Sequence, residues 1–254
     1  MPWAEVAGKR IHFRQGAKSP GTTPVIFIHG AGASSNVWLR QLQAFEESFP
    51  VVAVDLPGHG GSDGGGYPRL EDYGHDLLAF LDALGLNQAV WLGHSMGGAI
   101  VMGLALCHPE RVKKIILAGS GAQLKVPGEV LSALRRDSRE VMRVISRYAY
   151  SPNFPAYHLN LTETEMANYR PEVLVTDFSA CDAFDISKHL SRIVQPTLIL
   201  CGREDRFTPL ELSEHLRSGI PHSRLEVIEG AGHMAMIEDA PAFNAAVARF
   251  LVEA

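Results

Sequence analysis

Short apolar runs that alternate with longer amphipathic segments constrain the fold of this chain more than any other feature. Several of the runs are apolar throughout, as strands are when both faces of the sheet are covered. The segments between them, for example residues 70–84 and 99–106, repeat apolar residues at helical spacing. This alternation predicts a doubly wound α/β fold, with helices on both sides of a mostly parallel sheet. Val6 and residues 11–13 predict a leading antiparallel hairpin. The predicted parallel strands are residues 25–28, 51–55, 89–93, 114–118, 197–201 and 225–228.

The alternation stops between residues 123 and 191, where helical patterns follow one another without a strand. We therefore expect a core made of residues 1–122 and 192–254 and a helical cap insertion made of residues 123–191. Such an insertion either covers a pocket or only packs on the core. The predicted helices of the insertion are residues 129–148, 162–168 and 172–181.

Composition excludes several classes of protein. The chain has 254 residues, of which 46% are hydrophobic and 20% charged, as is usual for a soluble globular protein. Its net charge is −5 and it has no basic run, which argues against nucleic-acid binding. It has neither a signal-peptide pattern nor an apolar stretch of about 18 residues, so we expect no membrane span. Three cysteines without a Cys-x-x-Cys pair indicate a cytoplasmic protein without a zinc site.

A Gly-x-Ser-x-Gly motif at residues 93–97 lies between the third parallel strand and a helix. Ligands of α/β sheets bind at the carboxyl ends of the strands, and this motif in this context is typical of a nucleophile elbow. The alternative is a tight turn without catalytic function. A second match, at residues 60–64, has neither a strand before it nor a helix after it. Ser95 is therefore the predicted nucleophile, and Ser62 is a loop serine.

A serine nucleophile requires a base and a carboxylate that orients the base. Of eleven histidines, His233 directly follows the last strand in a glycine-rich loop, which makes it the predicted base. Asp205 and Glu204 both follow the penultimate strand. Asp205 is the predicted acid, because the order Ser95, Asp205, His233 is the order typical of this kind of triad. His29 and His94, at strand ends, are predicted to make structural hydrogen bonds.

Backbone N–H groups must also stabilise the oxyanion that forms during acyl transfer. One donor is the residue after the nucleophile, Met96. The other is expected in the His-Gly-Ala-Gly-Ala loop after the first parallel strand, at Ala31. The alternative is that the glycines of this loop are needed only for the turn and that the loop supplies no oxyanion donor.

Together these motifs resemble those of the α/β-hydrolase superfamily, in its compact branch with a helical cap. The resemblance also includes Asp55-Leu-Pro-Gly-His-Gly and Gly232-His233, and it spans nearly the whole chain. It implies a serine hydrolase without cofactor or metal, most simply a carboxylesterase for small or medium acyl or aryl esters. A carbon–carbon bond hydrolase, a lactonase and a non-catalytic ligand receptor are the alternatives. The expected partner is a small carbonyl substrate, and the candidate pocket walls are Trp38, Met142, Tyr148, Tyr150, Phe154 and Tyr157.

Overall fold

The computed structural model describes residues 2–16, 23–155 and 169–253. Within these ranges an eight-stranded sheet has the order β1-β2-β4-β3-β5-β6-β7-β8. β1 pairs with β2 and β2 with β4 in antiparallel orientation, whereas the strands from β4 to β8 run parallel. The strands are β1 Trp3–Val6, β2 Lys9–Gln15, β3 Val25–Ile28, β4 Val51–Val54, β5 Ala89–His94, β6 Val112–Ala118, β7 Thr197–Gly202 and β8 Ser223–Ile228.

The predicted doubly wound α/β fold is confirmed, including the six parallel strands and the leading hairpin. The hairpin turns at Ala7 and Gly8, whose φ angles are 49° and 76°. Positive φ at both central residues is the geometry that a tight hairpin requires. The six parallel strands have the predicted bounds to within two residues at each end.

Helices cover both faces of the sheet. One face packs on α2 and α3 around Tyr73 and Phe80, and the other packs on α1 and α9 around Trp38 and Phe243. Consecutive residues of the parallel strands alternate between these two apolar clusters, as the pleat of a strand requires. The helices are α1 Leu39–Phe45, α2 Leu70–Ala83, α3 Met96–Cys107, α4 Gly128–Arg136, α5 Ser138–Ala149, α6 Pro171–Ala183, α7 Leu210–Gly219, α8 Ala235–Glu238 and α9 Ala240–Val252.

Between β6 and β7 the chain forms α4, α5 and α6, which pack around Leu134, Met142 and Leu174. The prediction of one helix over residues 129–148 was wrong, because Asp137 separates α4 from α5. Asp137 has a φ of −150°, and its side chain accepts a hydrogen bond from the N–H of Glu140 and so caps α5. The predicted helix 172–181 corresponds to α6. The predicted helix 162–168 lies outside the described residues.

Candidate active site

Ser95 lies on a sharp turn between β5 and α3. Its φ of 53° and ψ of −117° are unusual for a residue with a side chain, and its N–H donates to the carbonyl of Ala118. The turn is possible because glycines flank it. A Cβ on Gly93 would collide with the carbonyl of Gly97, and a Cβ on Gly97 would lie 2.5 Å from the carbonyl oxygen of Ile28. The Ser95 hydroxyl makes no hydrogen bond with another described residue. This geometry is that of a nucleophile elbow.

His233 and Asp205 form a buried pair. Nδ1 of His233 lies 2.8 Å from Oδ2 of Asp205, and the Asp205 side chain has no exposed surface. The carboxylate also accepts hydrogen bonds from the N–H groups of Phe207 and Thr208 and from the Thr208 hydroxyl, at 2.7–2.9 Å. Burial alone would raise the pKa of Asp205, but His233 and the bonds from Thr208 lower that pKa below its ordinary value. The carboxylate therefore stays ionised and holds the ring of His233.

Two other carboxylates, Glu204 and Asp182, do not contact His233. Glu204 is exposed, and Asp182 accepts the N–H of Val126. The sequence alone left Glu204 and Asp205 as alternatives, and the structure brings Asp205 to His233.

Two backbone N–H groups near Ser95 have no acceptor among the described residues. Met96 is the first residue of α3, so its N–H has no partner within the helix. In the loop after β3, Gly32 donates to Asp177 and Ala33 donates to the carbonyl of Gly30. The N–H of Ala31, the residue before Gly32, has no acceptor within the described ranges. A hypothetical Cβ on Gly30 would lie 3.1 Å from the Cβ of Ser95, so this loop lies directly beside the elbow.

Ser95, His233, Ala31 and Tyr150 line one cavity of about 830 Å³. That volume lies within the range of small-molecule sites, roughly 300–1,000 Å³. Helices α5 and α6 contribute mainly apolar side chains to its wall. These side chains include Ile145, Val173, Leu174 and Phe178.

The structure corrects several expectations about the cavity wall. Trp38 is fully buried and packs against Phe27 and Phe243 in the core. Tyr148 is 52% exposed and lies against the guanidinium of Arg206. Aromatic side chains pack well in a core and also against a surface cation. An aromatic residue near the site therefore need not face the cavity.

Met142, Phe154 and Tyr150 have three different positions relative to the cavity wall. Met142 packs on Leu134 and Leu174, behind the wall, and Phe154 stacks on Tyr150 with ring centroids 4.8 Å apart. Of the six predicted residues, the structure places Tyr150 on the cavity wall. Tyr157 lies outside the described residues.

The loop that carries His233 is attached to the segment between β6 and β7. The N–H of His233 donates to the carbonyl of Ala149 at the end of α5, at 2.8 Å. Glu238 accepts the N–H of Gly232 and the N–H of Ser151, at 2.9 and 2.8 Å. Burial raises the pKa of Glu238, although these bonds oppose the shift. The position of the imidazole thus depends on the position of α5.

A second buried pair attaches α6 to the loop that precedes α2. Asp177 has no exposed surface, and its carboxylate lies 2.7 Å from Nε2 of His59 and accepts the Tyr73 hydroxyl at 2.6 Å. Burial lowers the pKa of His59, but the Asp177 carboxylate raises it above the ordinary value. Asp177 also accepts the N–H of Gly32, next to Ala31. Helix α6 therefore holds the loop that presents the free Ala31 donor.

His29 and His94 make the structural hydrogen bonds predicted for them. His29 Nδ1 lies 2.8 Å from the carbonyl of Gly30, and its Nε2 accepts the N–H of Leu56. His94 Nε2 donates to the carbonyl of His233. Burial lowers the pKa of His29 to about 4 and that of His94 to about 3. Both rings are consequently neutral near pH 7.

Sequence reasoning missed Gly119, which follows β6. Its φ is 52°, and a Cβ there would lie 3.1 Å from His233 Nδ1 and 3.2 Å from Asp205 Oδ2. The signal available in the sequence was a glycine at the carboxyl end of a parallel strand beside the predicted elbow strand. Only the fold shows that this glycine faces the imidazole–carboxylate pair.

Gly119→Ala is expected to lower activity about 100-fold or more, because the added methyl group displaces the ring from the carboxylate. The measurement is steady-state ester hydrolysis together with a thermal melt. Gly85→Ala is the matched control, since Gly85 also has a positive φ but no atom within 4 Å of the added Cβ. Equal activity losses in the two variants would contradict the assigned role of Gly119.

A model of the α/β hydrolase fold family matches residues 23–240, and the chain belongs to that family. A 2-hydroxy-6-oxononadienedioate/2-hydroxy-6-oxononatrienedioate hydrolase of Pseudomonas sp is 31% identical and covers 91% of this chain and 88% of its own. The 3-oxoadipate enol-lactonase 2 of Acinetobacter baylyi is 29% identical, over 88% of this chain and 86% of its own. The solved structure of a thermophilic esterase is 31% identical, with a TM-score of 0.86 over 98% of this chain and 96% of that one.

Two further properties concern the described ranges only. None of their helices is both long enough and apolar enough to cross a membrane. Within the same ranges, no group of three or more histidine, cysteine, aspartate or glutamate side chains is arranged to hold a metal ion.

Proposed function

We propose that this protein is a serine hydrolase that cleaves small or medium carboxylic esters through an acyl-enzyme. The observation that carries the proposal is that His233, held by Asp205, lines the same cavity as an elbow serine. A positive φ on a serine is costly, and such strain is concentrated at functional sites. The free N–H groups of Ala31 and Met96 beside that serine supply the donors that an oxyanion needs.

In this mechanism Ser95 Oγ attacks the ester carbonyl while His233 Nε2 accepts the hydroxyl proton. Asp205 fixes the proton on Nδ1, which leaves Nε2 free to act as the base. The N–H groups of Ala31 and Met96 stabilise the tetrahedral oxyanion. His233 then protonates the departing alkoxide, and it finally activates a water molecule that releases the acid from Ser95.

Residues 123–191 act in this proposal as a cap that sets selectivity. Val173, Leu174 and Phe178 of α6 line the cavity, whereas the five residues assigned to chemistry lie outside the cap. Apolar wall contacts discriminate between substrates by roughly 10- to 200-fold per group. The cap therefore governs which ester is accepted, and the core performs the reaction.

A carbon–carbon bond hydrolase or lactonase is the second candidate. Two relatives carry these activities in their names. The esterase of known structure has a similar identity, so the comparisons leave both reactions open. A non-catalytic receptor would require neither a strained serine nor an ionised Asp205 beside the imidazole.

The test is a panel of aryl and alkyl esters of increasing acyl length, lactones and vinylogous diketones, assayed with the purified chain and with Ser95→Ala. We expect ester hydrolysis to have the highest kcat/KM and to depend on Ser95. Faster cleavage of a diketone or a lactone would replace the esterase assignment with the second candidate. Binding without turnover of any member would identify a receptor.

A further inference from the structure

Arg14 on β2 lines the cavity that contains Ser95 and has an unused donor. Its Nη2 donates to Oδ1 of Asn36 at 2.6 Å. Its Nε is buried and has no hydrogen-bond partner among the residues that the structure describes. A buried, unsatisfied donor on a permanently charged group is unfavourable, and such a donor in a native cavity calls for an acceptor. The mechanism above makes no use of this residue.

Basic side chains outnumber acidic ones among the residues that line this cavity. Arg14, Lys125 and Arg170 line it, and none of them forms an ion pair within the described residues. Lys125 donates to the carbonyl of Asp182, and Arg170 donates to the carbonyls of residues 62 and 64. The cavity wall is therefore cationic in a chain whose net charge is −5.

Asp55 is the one carboxylate among the residues that line this cavity in the described structure. It accepts the N–H groups of Ser35 and Gly61, at 2.6 and 2.9 Å, and lies 2.6 Å from Nδ1 of His12. Both of its oxygens are thus occupied by groups other than Arg14. Within the described ranges, no carboxylate is therefore paired with the Arg14 guanidinium.

We propose that Arg14, with the side-chain amide of Asn36, binds a carboxylate of the substrate remote from the bond that is cleaved. A guanidinium presents several N–H donors in a plane that matches a carboxylate, and its charge strengthens those bonds. The inference rests on the proposed function, which it deepens by naming the substrate class: esters of extended acids that carry a second, free carboxylate.

The topology sets the separation between the two ends of such a substrate. Strand β2 is separated from β5, which ends directly before Ser95, by β4 and β3. Three steps of about 4.8 Å place the two strands about 14 Å apart. We therefore expect a longer dicarboxylic monoester to reach both the elbow and Arg14 more readily than a short one. Preference for the charged substrate should therefore increase with chain length.

The experiment compares monoethyl esters of linear dicarboxylic acids with ethyl esters of neutral acids of the same length. We expect Arg14→Gln to lower kcat/KM for the long charged esters about 10- to 100-fold, through KM, because a charge-assisted bond is lost. Activity on neutral esters should change less than about twofold. Arg10→Gln is the matched control, because Arg10 lies on the same strand but pairs with Asp63 outside the cavity.

Binding of the long monoester to Ser95→Ala, measured by calorimetry with and without Arg14→Gln, tests the subsite without turnover. Weaker binding in the double variant supports the carboxylate subsite, even if the wild-type chain hydrolyses no ester. Equal binding, or an equal loss of activity on charged and neutral esters, would overturn it. If the wild-type chain hydrolyses no ester, the proposed function is overturned. The binding measurement then still tests whether Arg14 binds a carboxylate.

Discussion

Ser95→Ala is expected to lower ester turnover at least about 10³-fold while the protein remains folded. The hydroxyl that attacks the carbonyl is removed, and members of a triad act as a unit. The substitution breaks no hydrogen bond of the described structure, and alanine faces the same backbone strain at φ 53° as serine. The measurement is kcat/KM on an activated ester together with the free energy of unfolding in urea.

Ser62→Ala is the control, because it makes the same change in the other Gly-x-Ser-x-Gly match. The Ser62 hydroxyl donates to the carbonyl of Asp55 at 2.7 Å and accepts the N–H of His12 at 2.9 Å. We expect this variant to lose about 1–3 kcal/mol of stability, because a buried donor and acceptor lose their partner. Its folded fraction should keep most of the activity. An inactive Ser62→Ala beside an active Ser95→Ala would show that the elbow is misassigned.

Asp205→Asn is expected to lower kcat by about 10⁴-fold, a magnitude taken from the same change in the well-studied Ser-His-Asp template. The amide no longer stabilises the imidazolium, and it can favour the wrong tautomer of His233. KM should change little, because Asp205 does not line the cavity. The assay is steady-state hydrolysis across pH, with circular dichroism to confirm the fold.

Glu204→Gln provides the comparison for Asp205→Asn, since Glu204 is the adjacent acid but is exposed. We expect it to retain activity within about twofold. Small and equal losses in the two variants would mean that another carboxylate orients His233, or that orientation contributes little to the rate.

The sequence predicted the fold, and it singled out a serine, an acid and a histidine that the structure places at one cavity or beside it, because these signals are local. An apolar run bounded by glycines defines a strand end, and the order Ser95, Asp205, His233 then selects one acid and one histidine from many. Asp205 directly follows β7 and His233 follows β8, so adjacent parallel strands bring them together at one edge. In a parallel sheet, residues that follow neighbouring strands therefore lie close together, and their positions in the sequence predict this.

The residues that support the site were not predictable, because their roles arise from contacts distant in sequence. Asp177 reaches His59 across 118 positions, and Gly119 matters only through its distance from His233. The cavity wall was mispredicted for a similar reason. Val173 and Leu174 of α6 line the cavity, but in the sequence they have the pattern of ordinary core residues. Trp38 and Tyr148 are aromatic, but Trp38 lies in the core and Tyr148 lies at the surface. Which face of a cap helix meets a cavity depends on tertiary packing.

The most direct test of the central claim is covalent labelling of the intact protein with a small fluorophosphonate, followed by peptide mass spectrometry. An activated serine attacks the phosphorus, and the adduct marks the nucleophile itself. We predict a single adduct on the peptide that contains Ser95, formed slowly in His233→Ala and absent in Ser95→Ala. Labelling at Ser62, or equally fast labelling of Ser95 without the imidazole, would contradict the account of a serine activated by His233.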